Sequence, residues 1–233
     1  MKIKKLSIII PCYNEKNTLP VILEKVKNVR LISNLRKEII LVDDFSSDGT
    51  REYIKKIKDK NLIKIFHNQN QGKGTAVKSG IKKASGDIII IQDADLEYNP
   101  EDYNSLIKPI IEGKAKVVYG SRVLKKENKY SYLSFFMGGK LVTLVTNLLY
   151  FTRITDEPTC YKTFEAEIIK NIKIEGNRFE WEPEVTAKIL KRGIKIYEVP
   201  ISYFPRSKEE GKKINWLDGI KAIWTLFKYK FKD

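Results

Sequence analysis

Three apolar runs early in the chain each stop at a cluster of polar or acidic side chains. Residues 5–10 run into Pro11-Cys-Tyr-Asn-Glu15, residues 37–42 into Asp43-Asp44, and residues 87–91 into Asp93-Ala-Asp95. Runs this short, continuous and rich in Ile predict buried strands. Two more follow the pattern at 62–66 and 115–119. Between them lie helical spacings at 18–29, from the Ser46–Thr50 turn through Lys58, at 72–84, and from Pro100 onward. Strands that alternate with helices and are apolar on both sides predict a parallel α/β sheet covered on both faces. Ligands of such sheets bind beyond the carboxyl ends of the strands, where these acids stand.

Two Cys and one His exclude both a disulfide scaffold and a zinc cluster, and fit a reducing compartment. The net charge of +15 would attract phosphorylated ligands, anionic lipid or nucleic acid. A nucleic-acid binder is disfavoured, because the most distinctive loops are acidic and would repel phosphate without a metal. The apolar start is too short for a signal peptide and meets Pro11 before any cleavage site.

Asp93-Ala-Asp95 at a strand end can set two carboxylates near one hard cation, Mg²⁺ or Mn²⁺; the competing reading is a turn with helix-capping acids. Gly72-Lys-Gly-Thr75 opens a helix whose N–H groups could hold phosphate, or it is simply a tight turn. It is no P-loop, since His67 stands where the first Gly belongs, and Val77 breaks the dinucleotide fingerprint. Beyond residue 122 the rhythm changes. A mostly apolar stretch spans 132–151, helical spacing follows at 180–192, and 194–203 reads as two short strands split by Pro200. A helix is expected from Ile214 to Phe231. With no repeat or flexible linker, residues 1–233 read as one domain.

Together these segments resemble the inverting glycosyltransferases of family 2, which have the GT-A fold. The matching stretches are Ser7–Glu15, Leu41–Thr50, Asn70–Ala76, Ala84–Asp87, Gln92–Glu97 and Gly120–Arg122. Thr155–Lys162, Phe179–Glu184, Glu198–Arg206 and Glu210–Gly219 are similar to the dolichol-phosphate mannose synthase branch. That branch moves a hexose from a nucleotide sugar to a polyprenyl phosphate. The resemblance implies a mostly parallel, Rossmann-like sheet. Residues 5–122 would bind the nucleotide sugar, and 123–233 would serve the acceptor and the membrane interface. Pro11, Tyr13, Asn14 and Glu15 would line the base and ribose, Asp43 would contact the base, and Lys73 would join the nucleotide-sugar set. Asp93 and Asp95 would hold Mg²⁺ or Mn²⁺, with Glu97 as an extra ligand where the family often has Gln. Arg122 and Arg206 would face the acceptor and donor phosphates. Where the family often has a further Arg, the neighbourhood offers Lys140, which lacks the bidentate fork.

The chemistry is consistent from below. Sugar transfer needs the leaving diphosphate stabilised, which a divalent metal and fixed cations do. A hydroxyl acceptor also needs a general base, for which Asp156 and Glu180 are the candidates; the competing reading of each is a cap or ion pair. A phosphate acceptor is already ionised and needs none. His67, the single His, is expected to be structural.

Two segments point to a membrane. Residues 132–151 are long enough to span a bilayer, yet they contain Lys140, two glycines and Asn147. A helix or helix pair lying in the interface is expected, and a buried core helix is the alternative. Trp216, Ile220, Ile223, Trp224 and Phe227 recur at helical spacing, with Lys221, Lys228, Lys230 and Lys232 beside them. No apolar span follows before Asp233, so the expected enzyme is peripheral, on the cytoplasmic face. Its donor would be a GDP- or UDP-hexose, mannose or glucose, and its acceptor a polyprenyl phosphate. A glycan or lipid-sugar hydroxyl is the alternative acceptor.

Overall fold

The computed structural model describes residues 3–129, 132–206 and 216–232. In it the five expected strands are β1 (Lys5–Cys12), β2 (Arg36–Asp43), β3 (Leu62–Phe66), β4 (Ile88–Ile91) and β5 (Val117–Ser121). They are joined by α1 (Leu19–Asn28), α2 (Thr50–Lys56), α3 (Lys73–Lys83) and α4 (Tyr103–Ile111). Then come α5 (Leu133–Tyr150), β6 (Lys162–Glu165), α6 (Ala166–Lys170), α7 (Trp181–Lys191), β7 (Ile196–Pro200) and α8 (Trp216–Phe231). The first residues of the expected last helix, and 210–215 of the last matching motif, lie outside the described residues.

All seven strands join one sheet in the order β3-β2-β1-β4-β6-β5-β7. Every pairing is parallel except those of β6, which runs against both β4 and β5. The sheet is thus mostly parallel, as the resemblance implied. β6 escapes a reading by apolar runs because its Lys162 and Thr163 are polar yet fully buried. Pro200 ends β7 rather than splitting two strands. It lies on an edge strand, where a missing N–H is tolerated, and among the described residues only a single bridge, Tyr203 to Tyr98, follows. Reversal of β6 has a consequence for chemistry: the segment leading into it, 156–161, arrives at the same edge as the carboxyl ends of the other six strands.

The core is the predicted set of strand residues, Ile8 to Ile10, Ile39 to Val42 and Ile88 to Ile91, sealed by α1, α3 and α4. A satellite core joins α5, α7 and α8 through Val142, Ala187, Leu226 and Tyr229. α5 is one helix with only Val142, Thr143 and Thr146 buried, so the core-helix alternative fails. By length and composition it is apolar enough to cross a membrane. Its outward stripe is Leu133, Met137, Leu141, Leu144 and Leu148, extended by Phe151, and α8 exposes Trp216, Ile220, Trp224, Phe227 and Phe231.

Candidate active site

The crevice where the strand order reverses lies between β1 and β4, and the acids converge there. Asp93 and Asp95 follow β4 directly. Lys73, first residue of α3, reaches Asp93 at 2.8 Å and Glu182 of α7 at 2.9 Å. Burial pulls the Lys73 ammonium down, but Asp93 and Glu182 outweigh it and hold its pKa well above the usual value. Asp95 accepts from Arg206 Nη2 at 2.8 Å and from the Glu97 N–H at 3.0 Å. Burial, then Asp93, push the Asp95 carboxyl up to about 7; Arg206 opposes them and Glu97 adds to them. Arg206 Nη1 lies 3.5 Å from Glu15. Its Nε is buried without a hydrogen-bond partner among the described residues.

Five carboxylates thus surround two cationic side chains, and the Asp95 pKa reflects that imbalance. All-oxygen donors of this charge fit Mg²⁺ or Mn²⁺. Among the described residues, however, no three metal-ligating side chains converge on one point. Glu97 is taken up otherwise: it accepts the Arg206 N–H at 2.9 Å and the Tyr203 hydroxyl at 3.2 Å, strapping segment 203–206 over the acidic loop. Asp93 and Asp95 remain the donors best placed. The loop that carries them is fixed from behind by Gln92, whose Oε1 takes both the Tyr103 and Tyr161 hydroxyls at 2.7 Å. Its amide donates to the Asp93 carbonyl at 3.0 Å.

Arg122 follows β5. Its Nε and Nη2 donate to Asp156 at 2.7 Å each, and its backbone N–H to the same carboxylate at 2.9 Å. The Tyr203 ring lies 5.1 Å from the guanidinium. Burial would raise the Asp156 carboxyl; Arg122 overrides this and holds it below the ordinary range. Asp156 is thus the ion-pair partner of Arg122. Glu180 lies just before α7, in a crevice shared with Glu175, Glu184 and Tyr229, while Glu182 is the glutamate that reaches the acids. Sequence reasoning missed Glu182, Gln92 and Tyr203. Helical spacing from Glu182 to Val185, Thr186 and Ile189, all buried, is the signal that marks Glu182 as inward.

At the β1 and β2 ends, Pro11 stands in β1 and Tyr13 is exposed. Asn14 takes φ +53, accepting from Ser47 N–H at 2.9 Å. Asp43 is fully buried and accepts from Arg51 Nε at 2.6 Å. The same guanidinium lies 5.4 Å from both the Phe45 and Phe66 rings. Asp44 and His67 are structural: His67 bridges Asp44 at 2.7 Å and Ser79 at 2.9 Å, and Asp44 also accepts the Gly72 N–H. The start of α3 is not an open phosphate cradle. A Cβ at Gly72 or Gly74 would stand 2.5 Å from the carbonyls of Asn177 and Gly176, and the Thr75 N–H already donates to Asn177. Lys140 lies over the Phe136 ring of its own helix.

Paired acids at the switch point thus stand with a clasped arginine beyond β5 and a second arginine on the acids. The model of the family described as glycosyl transferase family 2 matches residues 7–172. The chain is a family 2 glycosyltransferase. It is 30% identical over 236 residues to the dolichol-phosphate mannosyltransferase of Pyrococcus furiosus, a match covering 97% of this chain and 64% of that protein. It is 30% identical over 251 residues to the UDP-N-acetylglucosamine--dolichyl-phosphate N-acetylglucosaminyltransferase of Methanococcus voltae, covering 97% and 96%. The glycosyltransferase also superposes on glucosyl-3-phosphoglycerate synthase from Mycobacterium tuberculosis, crystallised with Mn²⁺, UDP and glucosyl-3-phosphoglycerate. The TM-score is 0.71 at 18% identity, over 97% of this chain and 80% of that one, which establishes the shared GT-A fold.

Proposed function

We propose that this glycosyltransferase moves a hexose, mannose or glucose, from GDP or UDP to a polyprenyl phosphate at the cytoplasmic membrane surface. The observation that carries the reading is the Arg122–Asp156 clasp. A hydroxyl acceptor needs a base, yet of the two candidates Asp156 has its oxygens engaged and its pKa held low, and Glu180 lines a crevice with Glu175 and Glu184. A phosphate acceptor is already ionised, and what it needs is a fixed cation, which Arg122 supplies. Relatives named for dolichyl phosphate support the same acceptor class.

In this reading residues 5–122 take the nucleotide sugar and 123–233 the acceptor, within one domain. Tyr13, Asn14 and Glu15 line the nucleotide side, with Asp43 acting through its partner Arg51. Arg206, whose Nε lacks an acceptor among the described residues, faces the diphosphate, and Lys73 pairs with Asp93. Asp93 and Asp95 hold Mg²⁺ or Mn²⁺, whose chemistry when bound is to neutralise charge on the leaving diphosphate. Arg122 and Arg206 offset the mutual repulsion of two phosphate-bearing substrates. The apolar stripes of α5 and α8 lie in the bilayer interface, flanked by Lys221, Lys228 and Lys230.

The test is a panel of GDP- and UDP-hexoses with polyprenyl phosphate in anionic vesicles, with Mg²⁺ or Mn²⁺, reading which sugar becomes lipid-linked. One donor should give lipid-linked hexose, and the protein should float with the vesicles more weakly as salt rises. Transfer confined to soluble acceptors, with the protein left in the supernatant, would overturn the reading.

A further inference from the structure

Asn147 and the threonines of α5 are odd residues for a helix with an apolar outer face. Their hydrogen bonds explain them. Segment 154–157 has no strand or helix of its own, and four consecutive N–H groups in it each donate to a side chain. Ile154 donates to Asn147 Oδ1 at 3.0 Å, Thr155 and Asp156 to Glu198 at 2.7 and 3.1 Å, and Glu157 to Thr143 Oγ1 at 3.0 Å. Asn147 closes the pair by donating Nδ2 to the Ile154 carbonyl at 2.8 Å, and Thr143 donates in turn to the Gly139 carbonyl. The segment held this way carries Asp156, which clasps Arg122.

We infer that Asn147 and Thr143 are positioning residues for Arg122, so that α5 aims the acceptor-facing guanidinium from the flank of its exposed apolar stripe. The inference rests on the reading of Arg122 as the acceptor-facing cation. Without Asn147 and Thr143, the N–H groups of Ile154 and Glu157 lose their acceptors, and the segment keeps its bonds to Glu198 of β7, Ser121 and Arg122 at the end of β5, Lys162 of β6 and Thr186 of α7. The Asp156 carboxylate then wanders and Arg122 follows it. Small misplacements of a positioned group weaken its action steeply, by as much as about a hundredfold for about 1 Å. A wholly structural role would lower stability without singling out the phosphate.

The probe is citronellyl phosphate, a short-chain analogue of the acceptor, titrated calorimetrically into the full chain, with GDP and UDP titrated as controls. Asn147→Ala and Thr143→Val should each weaken citronellyl phosphate about tenfold and leave nucleotide affinity unchanged, while Thr143→Ser, which keeps the hydroxyl, should bind as the native protein does. In an Arg122→Lys background Asn147→Ala should add less than about twofold, because both changes act on one group. If Asn147→Ala fails to fold, the Val and Ser variants of Thr143 carry the test. Unchanged phosphate affinity in Asn147→Ala and Thr143→Val, or losses that multiply with Arg122→Lys, would overturn the inference. If the native protein binds citronellyl phosphate and Arg122→Lys binds it equally well, the role of Arg122 is wrong. No binding by the native protein overturns the acceptor reading, and the inference with it.

Discussion

The acids of the site and its arginines are held by different means. Asp43 is paired in the ladder at the end of β2, and Asp93 follows two residues after β4, its carbonyl held by the Gln92 amide. Arg122 and Arg206 sit where the ladder has run out. Arg122 is aimed by three bonds to one carboxylate on an irregular segment. Arg206 is shared among Asp95 at 2.8 Å, Glu15 at 3.5 Å and Glu97 at 3.9 Å. The difference teaches that Asp43 comes with the ladder and Asp93 with the loop that Gln92 braces, whereas each arginine is installed by charged partners. Arg122 is preorganised for one task, and Arg206 is the counter-ion of an acid cluster.

The largest effect should come from the acids. Asp95→Ala should lower transfer by at least about a thousandfold, and EDTA should do the same to the native protein; full activity in either case breaks the donor side of the contrast. Replacing the arginines sharpens it. Arg122→Lys should lose about a hundredfold in turnover, since an ammonium cannot keep the paired bonds to Asp156, and Arg206→Lys only about tenfold, since it keeps its charge among the acids. Equal losses would mean that the two arginines do one job. Smaller still, Leu144→Glu with Trp224→Glu should weaken vesicle flotation at least about tenfold, as each apolar side chain contributes about 1.5–3 kcal/mol when fully buried, with nucleotide binding unchanged. Loss of nucleotide binding would tie the stripes to the core instead.

The smallest effect on catalysis belongs to Glu38, a buried acid toward the opposite end of the sheet from the site. Burial raises its carboxyl, but bonds from Lys5, Ser7 and Ser85 prevail and bring it down to about 2. A depressed folded pKa stabilises above the unfolded value, about 4.3, and that contribution fades as pH falls from there toward about 2. Glu38→Gln should cost about 1–3 kcal/mol at neutral pH and flatten the acid limb of thermal melts in that window, with turnover per folded molecule unchanged. A loss of turnover would erase the distinction between holding the sheet and serving the site.

Much of residues 5–122 is legible in the sequence for a physical reason. β1, β2 and β4 carry continuous apolar runs, so both their burial and the acids that end them stand out. Residues 123–233 hide their logic. β6 is polar and buried, Lys162 being satisfied by carbonyls of Glu157 and Thr159 that no spacing reveals. Asp156 reads equally well as base or ion pair until its partner 34 residues away is seen, and Glu182 is two residues from Glu180 in one acidic motif. Long-range partners assign these roles, and a single sequence does not display them.

The most direct test sets polyprenyl phosphate against the matching polyprenol in the same vesicles, with the donor that the panel identifies and Mg²⁺ or Mn²⁺. With Asp156 clasped by Arg122, sugar should appear on the phosphate lipid, and the polyprenol should stay unmodified. Transfer to polyprenol at a comparable rate would show that a base operates in this site and would contradict the role given to Arg122.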